Sequence, residues 1–157
     1  MEAKARPATT DDIGELVRLY RLLELEMTEL HPMWSKADGL PEPIEDALSA
    51  AIVEADTVVY VGELEGAILG FVLARSEDLL PQADDRVAAV RLVFTEQEAR
   101  EVGLGAEMLE TVLDELRRRG HTLFDAHVLP GHRLAKNFFE SAGFSARSIV
   151  MHHNDSE

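Results

Sequence analysis

The chain has 157 residues, of which 46% are hydrophobic, and 30 acidic residues outnumber 15 basic ones to give a net charge of −15. This length predicts a single domain, residues 1–157, built around one hydrophobic core. The acidic excess argues against a nucleic-acid partner, because contacts to phosphate need lysine and arginine, and the lack of cysteine excludes disulfides, thiolate metal ligands and a cysteine nucleophile.

The first part of the chain predicts a strand followed by a capped helix. The N-terminus lacks the apolar core of a signal peptide, and no run of 18 apolar residues follows, so we expect a cytoplasmic protein with no membrane partner. Residues 3–8 are typical of a short strand, which Pro7 places at an edge or near its end. Thr9 and Asp12 form a capping arrangement, and apolar residues at helical spacing predict a helix over residues 13–30.

Residues 31–43 break the helical pattern with three prolines, one glycine and the only tryptophan of the chain. Loops of this length inside a compact domain are commonly functional lids or disordered segments. Met33 and Trp34 could line an acceptor pocket as part of a lid. Alternatively, they could dock the loop on the core, as large apolar side chains usually do.

The middle of the chain predicts a helix, a hairpin and an acidic loop. Residues 44–55 have helical character, and residues 57–63 and 67–75 are strand-like segments joined by a short turn. Gly70, inside the second strand, predicts a bulge or the close approach of another backbone. The loop over residues 76–85 is polar and acidic.

Residues 86–120 predict a strand, a turn and a helix. The valine-rich run over residues 87–94 is typical of a buried strand. The helix is predicted to end at three arginines followed by Gly120, because cations in the last turn and a glycine after it are typical of helix C-termini. One face of the helix is expected to pack inward, because its apolar residues recur at helical spacing: Leu104, Met108, Leu109, Val112, Leu113 and Leu116.

The turn before this helix holds Arg100, Gly103 and Gly105. The first N–H groups of a helix have no intrahelical partner and its N-terminus is positive, so such a turn suits a phosphate or pyrophosphate. The alternative is that the glycines only ease a tight turn. A P-loop is excluded, since GxxxxGK followed by serine or threonine is absent, and no GxGxxG follows a first strand as in dinucleotide-binding folds.

The last part of the chain completes the predicted fold. Residues 121–128 predict a strand, residues 133–142 a helix ended by Gly143, and residues 144–151 a last strand before a polar tail. The order β-α-α-β-β-β-α-β-α-β predicts an α/β (α+β) fold with a mixed central β-sheet flanked by about four helices.

The charge is unevenly distributed along the chain. Residues 1–90 hold 19 acidic and 7 basic residues, whereas residues 91–157 hold 11 and 8. This asymmetry favours an anionic cofactor in the second part and a cationic acceptor, such as an amine, in the first.

The turn motif Arg100-x-x-Gly103-x-Gly105-Ala106 resembles the signature Q/R-x-x-G-x-G/A of the GCN5-related N-acetyltransferases, the GNAT family. In that family the loop binds the pyrophosphate of acetyl-CoA. The resemblance implies the acyl-CoA N-acyltransferase (GNAT) fold and acetyl-CoA (coenzyme A) as co-substrate. No metal is expected, because the adjacent His152 and His153 would point to opposite faces of a strand. The resemblance also implies a set of cofactor-binding residues in the central strand, the turn and the C-terminal helix: Val93, Phe94, Thr95, Arg100, Glu101, Val102, Gly103, Leu104, Gly105, Ala106, Lys136, Asn137 and Phe139.

Residues 135–144 are similar to a second family motif, A-x-x-L/F-Y-E-x-x-G-F, with one informative departure. The motif commonly has tyrosine where this chain has Phe139, and that hydroxyl is often proposed to protonate the leaving coenzyme A thiolate. Phenylalanine keeps the ring and removes the donor. The asparagine often found three residues before the motif's alanine is His132 here, so His132 or a water could stand in as the acid.

The resemblance implies direct transfer of the acetyl group to an amine. Amides near the end of the central strand, at residues 93–95, would hold the pantetheine arm, and one of them would polarise the thioester carbonyl. The acceptor amine must be neutral to attack, so a carboxylate, a histidine or a water chain has to take its proton. The candidates for this base are Glu96, His127, Asp84 and Asp85.

The sequence therefore predicts an acetyl-CoA-dependent N-acetyltransferase that acts on an amine of a small molecule or peptide in a ternary complex. The alternative, which the loss of the tyrosine hydroxyl at Phe139 motivates, is a non-catalytic or regulatory module that binds coenzyme A or an acyl-CoA. A homodimer is a further expectation, because dimers are common in this family and among soluble proteins.

Overall fold

The computed structural model describes residues 2–79, 81 and 84–156, and its centre is a five-stranded mixed sheet in the order β1-β2-β3-β4-β5. The strands are β1 Ala3–Pro7, β2 Thr57–Leu64, β3 Ala67–Asp78, β4 Arg86–Thr95 and β5 Phe124–Ala126. The first four pair antiparallel, and β5 pairs parallel with β4. The mixed sheet predicted from the element order is confirmed.

In the described part of the chain, four longer helices and three shorter helical segments surround the sheet. The bounds are α1 Ile13–Leu30, α2 Trp34–Ala37, α3 Ile44–Val53, α4 Gln97–Arg100, α5 Leu104–Arg118 and α6 Arg133–Ser141, with a 3-10 turn at Thr10–Asp12. The helices predicted over residues 13–30, 44–55 and 133–142 and after the central strand are present, whereas α2 and α4 are single turns that the apolar spacing does not reveal. None of the described helices is both long and apolar enough to span a membrane.

The sheet separates two hydrophobic layers. On one face, α1, α2 and α3 cover β2, β3 and β4, and buried residues such as Leu16, Leu73 and Leu92 form that layer. On the other face, α5 crosses β1 to β4 with the side chains predicted to face inward, among them Met108 and Val112. Because β4 is buried on both faces, residues 87–90 are all apolar and do not alternate with polar residues.

The junction between β1 and α1 is fixed by a buried carboxylate. Asp12 is 5% exposed and accepts a hydrogen bond from the Thr9 N–H at 2.8 Å, as the capping pattern predicts. Two guanidinium nitrogens of Arg6 also donate to it, at 2.8 and 3.0 Å. The hydrogen bonds from Arg6 are the main reason that the pKa of Asp12 lies below its ordinary value.

The loop over residues 31–43 is docked rather than open. Trp34 is 4% exposed and lies with its ring 6.2 Å from that of Tyr20, inside the layer covered by α1. The buried Tyr20 hydroxyl accepts a hydrogen bond from the Leu40 N–H at 2.8 Å. Of the two interpretations of this loop, docking of Trp34 on the core is the correct one.

The C-terminal prediction needs correction. The sequence predicts a strand over residues 144–151, but these residues pair with no strand of the described sheet, and Ile149, Val150 and Met151 are 70%, 88% and 88% exposed. The preceding strand is also shorter than predicted, three residues in place of eight. A strand exists only where a partner edge accepts its hydrogen bonds, and the local sequence does not contain that information.

Candidate active site

The turn that begins α5 presents a row of free backbone donors. Gly103 is the residue before the helix and has a φ of +82°, a left-handed conformation that glycine adopts without steric cost. The first helical bond runs from the Glu107 N–H to the Gly103 carbonyl at 3.1 Å. Across the described residues, no protein group accepts a hydrogen bond of normal geometry from the amides of residues 101–106. This arrangement, at a positive helix end, suits a diphosphate anion.

Arg100 braces this turn. Its Nε donates to the Thr95 carbonyl at 2.7 Å, and its Nη2 lies 3.3 Å from a carboxylate oxygen of Glu26 on α1. The guanidinium also lies over the ring of Phe94, 5.5 Å from the centroid. These three contacts fix the turn against the end of β4 and against α1, so the guanidinium is largely engaged within the protein and the donors that the turn offers are mainly backbone amides.

Gly105 permits α6 to approach the start of α5. A Cβ at this position would lie 3.3 Å from a ring carbon of Phe138 on α6 and 3.4 Å from the Thr95 hydroxyl oxygen. The first turns of α6 carry Arg133 and Lys136, which are exposed and have no carboxylate within ion-pair distance among the described residues. Two uncompensated cations therefore lie on the helix that flanks the turn, and they favour an anion there. Arg133 is not among the site residues predicted from the sequence.

The end of β4 has an unpaired edge. The last hydrogen bond toward β5 runs from the His127 N–H to the Val90 carbonyl at 3.2 Å, and β5 itself ends at Ala126. On the other side, the Glu96 N–H donates to the Leu69 carbonyl of β3 at 2.8 Å. Since antiparallel strands alternate between hydrogen-bonded and non-hydrogen-bonded pairs, the amides of Val93 and Thr95 point toward the unpaired edge.

Of the residues predicted near the thioester, Phe94 differs from its two neighbours. The same alternation directs its backbone groups toward β3, where it is the register partner of Phe71, and its side chain is 8% exposed. The edge that a bound chain could pair with is therefore formed by Val93 and Thr95.

A β-bulge in β4 lies next to this edge. In the register with β3, Leu73 faces Leu92 and Ala74 faces Val90, so Arg91 is the extra residue. Before the bulge Val90 packs in the layer under α5, and after it Leu92 packs in the opposite layer. Bulges re-aim side chains, and this one directs Arg91 toward the helical face formed by α1 to α3.

Arg91 organises a cluster of polar side chains. Its Nε and Nη2 each donate to a carboxylate oxygen of Glu77 at 2.7 Å, and its Nη1 lies 3.4 Å from Nδ1 of His127. Partial burial, followed by the nearby charge of Arg91, lowers the pKa of His127 below its ordinary value. His127 is therefore predominantly neutral at neutral pH and can accept a proton.

The other predicted catalytic residues have different surroundings. Glu96 accepts a hydrogen bond from Nη1 of Arg18 at 2.6 Å, so its carboxylate ties α1 to the end of β4. The Nδ1 atom of His132, the residue before α6, is buried without a hydrogen-bond partner in the described part of the chain. Asp84 and Asp85 precede β4, about 30 Å from Thr95 along the strand, which is too far for a role at the unpaired edge.

Phe139 lies in the core. Its side chain is 3% exposed, and its ring packs edge-on against Phe138 and Phe144, with centroids 5.1 and 5.3 Å away. Lys136 and Asn137, by contrast, lie exposed on α6. The structure thus brings the turn, the end of β4 and the start of α6 together, and it places Phe139 behind them as packing.

A cavity of about 240 Å³ adjoins the bulge on the face covered by α1 to α3. Residues 37–41 form its roof, and its floor and walls come from the side chains of Leu73, Arg75, Glu77, Arg91 and Leu92. Its charged residues are not among the site residues predicted from the sequence. The available signal was the presence of two arginines within strands that are otherwise apolar.

A larger cavity, of about 530 Å³, lies at the opposite end of the sheet, beside Asp84, Arg86 and Arg119. It is remote from the free amides of the turn, so the smaller cavity is the one that belongs to the candidate site. Within the described residues, no three histidine or acidic side chains are grouped to hold a metal ion.

Comparisons with known proteins agree with this arrangement. Residues 16–144 match the acetyltransferase (GNAT) family. No curated protein sequence matches the chain significantly. Among solved structures, an aminoglycoside 6'-N-acetyltransferase from Acinetobacter baumannii is 14% identical, with a TM-score of 0.72 and 98% of each chain covered. A predicted acetyltransferase from Clostridium acetobutylicum, solved with acetyl-CoA, is 15% identical, with a TM-score of 0.73 and coverage of 98% of this chain and 96% of that one.

The same fold also occurs in a protein with a different name. A transcriptional regulator from Bacillus halodurans is 19% identical, with a TM-score of 0.73 and coverage of 97% of this chain and 100% of that one. At these identities the structural likeness shows a shared fold and not a shared substrate. The family match, by contrast, spans most of the sequence, including both motifs, and the chain therefore belongs to the GNAT acetyltransferase family.

Proposed function

We propose that the protein is an acetyl-CoA-dependent N-acetyltransferase that acts on an amine of a small molecule or peptide by direct attack in a ternary complex. Membership of the GNAT family supports acetyl transfer and coenzyme A binding in general terms. The observation that carries the specific proposal is the row of amides at residues 101–106, which lie at the start of α5 and have no hydrogen-bond acceptor among the described residues.

The pyrophosphate of the co-substrate would lie on the amides of Glu101, Val102, Gly103, Leu104, Gly105 and Ala106. Lys136 and Asn137, which are exposed on α6, would contact the same ligand from the side. The buried Nδ1 of His132 is a further polar atom, and it has no hydrogen-bond partner among the described residues. Arg100 positions the turn through the Thr95 carbonyl. Phe139 contributes indirectly, because it packs α6 against the core.

The unpaired edge of β4 would hold the pantetheine arm as an added strand, through the amides of Val93 and Thr95. One of these amides, which we assign to Val93, would donate to the thioester carbonyl oxygen and stabilise negative charge as it develops. Acetyl-CoA supplies the acetyl group as a thioester. A fixed backbone donor suits this purpose because it needs no reorganisation during the reaction.

His127 is the best-placed base for the acceptor amine. It is predominantly neutral at neutral pH and lies beside Arg91 at the point where β4 and β5 separate. The acceptor nitrogen forms the new amide bond to the acetyl carbon while the carbon–sulfur bond breaks, and the proton lost from nitrogen ends on the sulfur. A thiol is a fair leaving group near neutral pH, so a tyrosine acid at position 139 is not essential. In this scheme His127 takes a proton from the acceptor nitrogen, and His132 or a water could donate one to the leaving thiolate.

The turn assignment is tested by titrating acetyl-CoA into wild type, Gly103→Trp and Gly103→Asn and measuring each dissociation constant by calorimetry. No atom lies within 4 Å of a Cβ at Gly103, so an indole there has room to cover the free amides. Asparagine tolerates the left-handed conformation and is the matched control. We expect at least a tenfold weaker affinity for Gly103→Trp than for Gly103→Asn. Equal affinities would contradict the assignment.

A second candidate function is a module that binds coenzyme A or an acyl-CoA without turnover. The buried phenylalanine at position 139 favours it, because no hydroxyl is present to protonate the thiolate. Thiol release from acetyl-CoA with a broad panel of amines separates the two functions. Tight binding without release for any amine would support the module. The cytoplasmic location and the homodimer stay predictions from the sequence.

A further inference from the structure

The small cavity beside the bulge contains one cation, Arg75, that no acidic side chain of the described residues neutralises. Of its two arginines, Arg91 is satisfied by the two hydrogen bonds to Glu77. Arg75 is half-buried, its Nε is completely covered, and its guanidinium has no hydrogen-bond or ion-pair partner among the described residues. A guanidinium without an acidic partner keeps its charge available, so an anionic group that reaches its terminal nitrogens gains a charge-assisted hydrogen bond.

The cavity also contains an acidic group in the complementary position. Asp38, in the roof, is half-buried, and no lysine, arginine or histidine of the described residues lies within ion-pair distance of it. The carboxylate of Glu77, in contrast, is already paired with Arg91. Within the part of the chain that the structure describes, Arg75 and Asp38 have no ion-pair partner, and the space of about 240 Å³ that they share matches a small molecule that carries both charges.

The roof of the cavity is pre-formed. The Leu40 N–H donates to the buried hydroxyl of Tyr20 at 2.8 Å. Gly39 is held so closely that a Cβ there would lie 2.8 Å from the Tyr20 hydroxyl oxygen and 2.8 Å from the Ser35 carbonyl oxygen. Because these contacts fix residues 37–41, Asp38 does not need to be ordered when a ligand binds, and the entropic cost of binding is low.

The cavity is in a position to deliver an amine to the thioester. Arg91 and Leu92 line it and directly precede Val93, whose amide points to the unpaired edge of β4. Arg75 lies on the far side, since its register partner is Ala89. A ligand that places a carboxylate at Arg75 therefore extends its other end toward Asp38, Arg91 and the reacting edge.

We propose that the acceptor is a small amine that also carries a carboxylate, of the amino-acid class, with Arg75 binding the carboxylate and Asp38 attracting the ammonium group before it loses its proton. This assignment rests on the proposed function, because it takes the cavity as the acceptor site. A volume of about 240 Å³ is below the roughly 300–1,000 Å³ typical of sites for drug-sized ligands, which favours a free amino acid over a large acceptor.

The test compares matched acids and amides: glycine with glycinamide, β-alanine with β-alaninamide, and leucine with leucinamide. Binding of each is measured by calorimetry to the full-length protein, with and without saturating coenzyme A. We expect the acid of at least one pair to bind about 10- to 100-fold more tightly than its amide, the range for hydrogen bonds to a charged group. Dipeptides with a free or an amidated C-terminus distinguish a peptide acceptor from a free amino acid.

Variants connect this preference to Arg75. Arg75→Met should abolish the preference for the acid, Arg75→Lys should retain part of it, and Arg118→Met, an exposed change on α5, should leave it intact. Unchanged acetyl-CoA affinity in Arg75→Met shows that the variant is folded. Amides that bind as tightly as acids, no binding of any acid at millimolar concentration, or a preference that survives in Arg75→Met would each overturn the inference.

The result is independent of the test of the proposed function. The acid-to-amide ratio is a binding measurement and does not require turnover. A protein that fails to bind acetyl-CoA but prefers the acids would contradict the transferase and leave the charge assignment of the cavity in place. A protein that releases thiol with acids and amides alike would support the transferase and overturn the assignment.

Discussion

Arg91 occupies the extra position of the bulge in β4, and this position determines which residues meet at the candidate site. Its guanidinium holds Glu77 and approaches His127, so a residue of the strand links β3 to the end of β5. The bulge also changes the side to which the following residues point, because side chains alternate along a strand. One inserted residue therefore sets both the polar cluster and the direction of the Val93 amide.

The first prediction concerns the pH dependence of acetyl transfer. His127 must be neutral to accept a proton, and both its burial and Arg91 lower its pKa below the ordinary value of 6.5. The limb that His127 contributes to the pH profile of kcat/KM for acetyl-CoA should therefore lie below pH 6.5, separate from the loss of activity at higher pH that comes from protonation of the acceptor amine. Arg91→Met removes the neighbouring positive charge and should move the limb to higher pH.

Two variants make this prediction specific. His127→Asn should remove the limb together with most of the activity, whereas His153→Asn, in the exposed C-terminal tail, should leave the profile unchanged. The measurement is kcat/KM across the pH range with a saturating acceptor. A limb below pH 6.5 that persists in His127→Asn would assign the base to another group.

At the scale of secondary-structure elements, the close packing of α5 on the β2–β3 hairpin positions the turn before α5. Gly62 and Gly70 are register partners on adjacent strands, and both lie under Met108. A Cβ at Gly62 would lie 2.5 Å from the sulfur of Met108 and 3.0 Å from a methyl carbon of Leu104. The two glycines thus allow the first turns of α5 to approach the sheet, as the isolated glycine in the predicted strand indicates.

The second prediction compares two glycine-to-alanine substitutions. A Cβ at Gly70 would lie 2.9 Å from the Phe94 carbonyl oxygen, a backbone atom that cannot move without shifting β4. Gly70→Ala should therefore lower the free energy of unfolding by about 1–3 kcal/mol, the usual cost of overpacking. Gly14→Ala, in the first turn of α1 with no atom within 4 Å of the new Cβ, should raise it by up to about 1 kcal/mol.

Urea denaturation at neutral pH measures the free energy of unfolding of both variants. Because the two expected changes have opposite signs, each variant serves as the control for the other. Stability of Gly70→Ala equal to that of wild type would mean that α5 and β4 separate more easily than their packing indicates. In that case the turn between them would not be held as rigidly as the proposed function requires.

At the scale of the whole molecule, ligand binding and stability are coupled, because the candidate site joins elements from distant parts of the chain. The turn is tied to α1 through the ion pairs of Arg100 with Glu26 and of Arg18 with Glu96, and to α6 through Phe138. A ligand across the turn, β4 and α6 binds only the folded arrangement, so it must raise the stability of the fold.

The third prediction is a thermal shift. Acetyl-CoA at about 100 times its dissociation constant should stabilise the protein by about 2.7 kcal/mol. For a chain of this length that corresponds to a rise in Tm of about 5–10 °C. Pantetheine, which lacks the pyrophosphate, should give a much smaller rise at the same concentration. No shift with acetyl-CoA at high concentration would contradict a coenzyme A site of any kind, catalytic or not.

Local patterns of the sequence determined the central features of this protein. The run of valines, the glycines at positions 103 and 105 and the helical spacing of the following apolar residues lie within one stretch, and neighbouring residues alone dictate the strand, turn and helix. The family resemblance rested on that stretch and on residues 135–144, and the family match confirms it. Propensity and periodicity are reliable where the determining contacts are close in sequence.

Only the tertiary structure decided the features that depend on contacts between residues far apart in the sequence. Glu96 is a carboxylate after a strand in the sequence, but in the fold it is engaged by Arg18, 78 residues away. The segment 144–151 is strand-like in composition, but no edge of the described sheet accepts it. Arg75 and Asp38 become the free charges of one cavity only because β3 and the loop after α2 meet there. Hydrogen-bond partners, burial and unpaired charge are properties of assembled surfaces, and a linear pattern does not specify which surfaces assemble.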